Sequence, residues 1–119
     1  MEDNILVTIK KLLGIDASYE EFDTDIIVNI NSAMFTLDQL GVDFPYGVYT
    51  IDKDSEWSDI FDDTQLDVET VKMYLYLKVR QIFDPPSSSV FADTIQAQIN
   101  ELEWRLNVSA ENRHKAWEV

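Results

Sequence analysis

The stretch DVETVKMYLYLKVRQIFDPPSSS, residues 67–89, decides the fold. Asp67 has the chemistry of a helix N-cap, and Glu69 falls in the first turn, where the helix dipole favours a carboxylate. Val68, Val71, Leu75, Val79 and Ile82 follow at spacings of three and four, which places them on one face of an α-helix. Met73, Tyr74, Tyr76 and Leu77 widen the apolar surface well beyond one stripe. A helix apolar over most of its girth is buried on several sides, so this one is expected to be central. Lys78 and Arg80 put cations in its late turns, and Pro85 and Pro86 end it. Proline removes a backbone donor and restricts the residue before it.

Downstream, Ser87, Ser88 and Ser89 offer caps for another helix, with Asp93 in its first turn. Phe91, Ile95, Ile99, Leu102 and Leu106 form its apolar stripe. The corner is short, so the two helices are expected to fold into a tight antiparallel hairpin. The periodicity stops after Val108. Residues 109–119 therefore read as a flexible tail on a single helical domain covering residues 1–108.

Upstream, Ile26, Ile30, Ala33, Met34, Leu37 and Leu40 give a second helix that Gly41 closes. Its start is open between a capping box at Ser18 to Glu21 and N-caps at Asp23 or Thr24. A first helix covers residues 3–13, with Ile5, Ile9 and Leu12 on one face and Leu6 and Leu13 widening it. Lys10 and Lys11 lie in its last turn and Gly14 stops it. Residues 42–65 are irregular, because Pro45 and Gly47 break helices there. Val48, Thr50 and Ile51 suit half of a short β-hairpin. Trp57, Ile60 and Phe61 make one apolar helical turn, with Ser55 as a cap. The expected class is all-α: a small bundle of about four helices with an irregular acidic loop between helices two and three.

The chain of 119 residues suits one compact domain. It has no cysteine, which excludes disulfides and thiolate metal sites. Its net charge is −14, and 15 of the 23 acids but only 3 of the 9 Lys and Arg residues lie in residues 1–66. Such a field opposes direct binding to DNA phosphates, which needs cations to displace counterions. It favours a basic partner surface, or serves solubility. Met1-Glu2-Asp3-Asn4 lacks the basic start of a secretory signal, and no apolar run approaches the ~20 residues that span a bilayer.

Catalytic chemistry has little to stand on. His114 is the one histidine and sits beside Arg113 and Lys115 in the tail, which makes neither a triad nor a metal cluster. Asp52, Asp54 and Glu56 alternate as in a calcium loop, with Asp63 further on. Trp57 occupies the position that needs glycine, and Asp63 replaces the closing glutamate. Three glycines, none clustered, make no phosphate loop. No catalytic, cofactor-binding or metal-binding residue is expected.

Contact chemistry is more promising. Trp104 lies about 160° of helical arc from Leu102, and Trp beside Arg105 is a pair enriched in interface hot spots. The competing reading packs Trp104 under the acidic loop. Arg113, Lys115 and Trp117 make a basic, aromatic tail suited to docking on an acidic neighbour. Trp57, inside the acidic segment, is a further candidate contact.

The blocks YLYLKVRQIFDPPSSS (residues 74–89) and QINELEWRLNV (residues 98–108) resemble the C-terminal half of small head–tail connector proteins of tailed phages and prophages. The start, Leu12-Leu13-Gly14-Ile15 before an acidic stretch, is similar in outline. The resemblance implies a helical bundle that forms a homo-oligomeric ring beneath the portal protein, at the head–tail junction of the virion, with DNA only as passing cargo. It implies portal and tail or head-completion proteins as partners, residence in the host cytoplasm during assembly, and neither enzymatic activity, nor a cofactor, nor a membrane. The alternative from charge alone is an acidic inhibitor or DNA mimic that binds a basic protein.

Overall fold

The computed structural model describes residues 4–42, 44, 47, 50–61 and 68–115, with side chains as far as Glu111. Among these described residues five helices follow in order: α1 (Ile5–Leu13), α2 (Asp23–Gln39), α3 (Trp57–Ile60), α4 (Val68–Phe83) and α5 (Ser89–Lys115). Among the described residues there is no strand, only an isolated antiparallel bridge between Asn4 and Glu56. The class is all-α, as the periodicity predicts.

Local chemistry sets the helix ends. Asn4 caps α1, its Oδ1 accepting from the Val7 N–H at 2.9 Å. Gly14, at φ +80°, takes the left-handed conformation that closes α1. Its N–H donates to Lys11 O, and the Ile15 N–H donates to Lys10 O, the paired bonds that satisfy orphan carbonyls. Gly41, at φ +91°, repeats the device at the end of α2. The start of α2 corrects the expected caps. Asp23 is already helical and Phe22 stands at the N-cap, while Asp16 rather than Glu21 takes the Ser18 N–H and hydroxyl. These two bonds, backbone first, hold the Asp16 carboxyl below its usual range. Ser55 is likewise not the cap of α3. Glu56 is, and its N–H donates to Asp59 Oδ2 at 2.8 Å.

Lys10 does more than favour the end of a helix dipole. Its side chain is 1% exposed, and Nζ reaches Ala17 O at 3.1 Å, Tyr19 O, and Asp23 Oδ1 at 2.8 Å. Two of these contacts are hydrogen bonds and the third is an ion pair. Asp23 Oδ1 accepts no well-aligned hydrogen bond, so that last contact is chiefly electrostatic. The clamp ties the α1–α2 connection to both helices.

α4 is the centre of the body. It packs against α2, α1 and α5, and Val71, Tyr74, Leu75, Leu77 and Val79 are buried along it. The middle segment is tied down rather than paired into a sheet. The Asn31 amide brackets Ile51, accepting its N–H at 2.7 Å and donating to its carbonyl at 3.3 Å. Ile5 N–H donates to Ser55 O at 3.0 Å. The expected extended piece is therefore no strand at Thr50 and Ile51, and Val48 lies outside the described residues.

Two bonds set the register of the α4–α5 hairpin. The Tyr74 hydroxyl donates to Glu103 at 2.8 Å and the Gln81 amide donates to Gln96. Both pairs are centred on the same point of the hairpin, so α4 lies alongside roughly residues 94–109 of α5. α5, about 40 Å long by its helical rise, overhangs α4 at both ends. The overhang corrects two expectations. Phe91, first in the apolar stripe, has no α4 residue opposite it and is 65% exposed. Residues 109–115 are helical rather than a tail, because Ala110 is buried and Asn107 donates to Leu40 O at 2.8 Å at the end of α2.

Candidate functional site

The residues singled out for contact divide sharply. Trp57 is not a surface residue: it is 3% exposed, and its indole N–H donates to Thr8 Oγ1 at 3.0 Å. Its ring stacks on Phe61 with centroids 5.8 Å apart, and Lys72 Nζ sits 5.0 Å from the ring centre. A tryptophan so placed fastens the α3 turn to α1 and α4. Ile60 and Phe61 of the same apolar turn are buried with it.

Trp104 is the opposite case. It is 66% exposed, on the side of α5 turned away from α4. It does not pack under the acidic loop. Arg105 is exposed too, and its guanidinium pairs with Glu101 at 2.8 Å one turn back on α5. An exposed i,i+4 pair contributes roughly 0.3–0.5 kcal/mol, so Arg105 keeps most of its capacity for another partner. Arg113 and Lys115 belong to the last turn of α5 by their backbone, their side chains lying outside the described residues, as does Trp117 altogether.

Between α4 and α5, on the side away from α1 and α2, runs a groove of about 210 Å³ lined by Met73, Leu77, Gln98, Glu101, Leu102 and Arg105. Its floor is apolar and its upper edge carries the Glu101–Arg105 pair. Arg80 lies one turn past Leu77 on the same side of α4, its guanidinium donating to the Tyr76 hydroxyl at 3.2 Å. The groove was not evident in the sequence, where Met73 and Leu77 broaden the apolar surface of the central helix and Leu102 continues the core stripe.

A second surface also escaped the sequence reading. Val28 and Phe35 of α2 are 59% and 60% exposed. They are seven residues apart, hence on one line of the helix, opposite the buried Ile26, Ile30, Ala33 and Leu37. The signal was present as a second seven-residue spacing, hidden behind the stronger core stripe.

Among the described residues the carboxylates assemble no group that could hold a metal ion. Asp52 Oδ1 accepts the Asp54 N–H and the Ser55 hydroxyl, which closes a turn. Among the described residues no three acid or histidine side chains are grouped to hold a metal ion, and no helix is long and apolar enough to cross a membrane. Asp63, the last member of the calcium-like pattern, lies outside the described residues.

The chain matches no curated protein and no solved structure significantly. A family model described as phage connector protein matches residues 5–113, from the start of α1 into the last turn of α5. By that match the chain belongs to the phage connector protein family, and its role is structural connection.

Proposed function

We propose that this connector is one subunit of a closed homo-oligomeric ring, seated below the portal at the head–tail junction, through which DNA passes. One observation carries the reading beyond family membership: Trp104, a large side chain, stays two-thirds in water on a helix with one flank covered. A lone particle gains nothing from that exposure, whereas an assembled one buries a tryptophan of the type that dominates interfaces. The charge supports the same reading. A net −14 lining a channel repels DNA and lets it slide.

Native mass measurement of the purified chain, alone and mixed with purified portal protein, tests it. Discrete multiples of the 13.8 kDa chain that attach to the portal are expected. A chain that stays monomeric in both mixtures and is retained instead by an immobilised basic nucleic-acid-binding enzyme would favour the acidic-inhibitor reading. Trp104→Ala should weaken head joining in a complementation assay while the far-ultraviolet circular dichroism stays helical. Undiminished joining would remove Trp104 from the interface.

A further inference from the structure

The body has two unrelated apolar surfaces on opposite sides. α2 packs its inner face on α4 and turns Val28 and Phe35 outward, while the α4–α5 hairpin turns its groove the other way. Within the ring reading just given, on which this inference rests, we propose that α2 of one subunit lies along the α4–α5 groove of the next.

Three observations choose this occupant. The first is spacing. Val28 and Phe35 are about 10 Å apart along α2, and the groove wall from Gln98 to Arg105 has the same seven-residue length. A helix docked in a groove presents anchors at such intervals. The second is charge. A chain of net −14 repels its own copies over most of its surface, so a copy–copy contact needs local cations on one side. Arg105, paired with Glu101, edges the groove and Arg80 stands one turn beyond it, so these three side chains leave the rim positive. α2 carries no base, and exposed Asp25 and Asp38 flank its outer line. Opposite charge then meets around an apolar centre, the arrangement that fixes partner and register. The third is symmetry. A ring is built from head-to-tail contacts between two different patches. The α2 face and the groove are different and lie on opposite sides of α4, so each subunit can offer one and receive the other.

The chain contains no cysteine, which makes the contact directly testable. Two full-length double variants are oxidised under mild conditions: Phe35→Cys with Met73→Cys, and Phe35→Cys with Gln98→Cys. All three positions are exposed, so the fold tolerates them. The expected result is a ladder of covalent multimers longer than dimers from at least one double variant, with the single-cysteine variants staying monomeric. A single Phe35→Cys or Met73→Cys that forms dimers as efficiently would mean that like patches face each other and would overturn the proposal. So would wild-type rings whose double variants give no ladder, an outcome that leaves the ring itself standing. A wild-type chain that forms no multimer alone or with portal would overturn the ring, and the contact with it. As a second readout, Phe35→Asp should weaken assembly by about tenfold or more, the scale of a central aromatic contact, with helicity unchanged. Val90→Asp, also exposed but outside both patches, serves as the control. Equal effects from the two would count against the α2 face.

Discussion

α4 and α5 are neighbours of similar chemistry with different fates. Both carry apolar residues at three- and four-residue spacings, and they meet at a diproline corner. α4 is enclosed by α1, α2 and α5, and its stripe is buried from Val71 through Val79, with Ile82 left exposed at its end. α5 packs chiefly on α4, and its equally regular stripe is buried only from Ile95 onward. Apolar periodicity says which residues could be buried. The number of neighbours and the lengths of the rods decide which ones are. In a connector the difference has a use, because the uncovered parts of α5 and the flank of α4 remain available for contact.

The comparison can be broken by mutation. Leu75→Ala, at the enclosed centre of α4, should cost about 2–5 kcal/mol by denaturant unfolding, from lost burial and the cavity left among three helices. Ile99→Ala on α5 should cost less, about 2–3 kcal/mol, because a site beside an open flank collapses more readily. Equal costs would mean that α5 is as enclosed as α4.

Tyr74→Phe sharpens the comparison at the seam between the two helices. It removes the hydroxyl bond to Glu103 and should cost about 1 kcal/mol near neutral pH. Burial first, and the Glu103 carboxylate second, push the Tyr74 phenol above its ordinary 10.0. The folded state therefore holds the neutral phenol while the unfolded chain releases its proton near pH 10. Stability from this group is complete below that pH and is lost as pH rises toward the folded value. Unfolding midpoints measured on either side of pH 10 should fall more steeply for the wild type than for Tyr74→Phe. Parallel slopes would mean that the hydroxyl is solvated.

The smallest effect belongs to the overhang. Phe91→Ala should change stability by no more than about 0.5 kcal/mol, since the ring is mostly in water already. A loss as large as that of Ile99→Ala would show that Phe91 is covered in solution.

Much of this organisation was legible. The stripes of α2 and α4, the proline corner and the left-handed glycines at 14 and 41 announce themselves through local rules. The turn at Trp57 was legible as an apolar helical turn, but what it packs against was not. Burial there depends on Thr8 and Lys72, which approach only after the chain folds. Trp104 was readable as turned away from the core, since the angle between positions on one helix is local geometry. The groove and the Val28–Phe35 face were not readable, because each is defined by what fails to cover it.

The amino-acid order alone therefore determined where the helices form, where α1, α2 and α4 stop, and which two fold into a hairpin. Those outcomes rest on contacts within a few residues and on proline and glycine backbone chemistry. Only the tertiary structure decided that Lys10 is a buried clamp, that Phe91 stands in water, and that apolar surface is left open on two opposite sides. Those depend on the register of α5 against α4 and on rods of unequal length, and such distances between remote parts of the chain are not encoded in the spacing of any single helix.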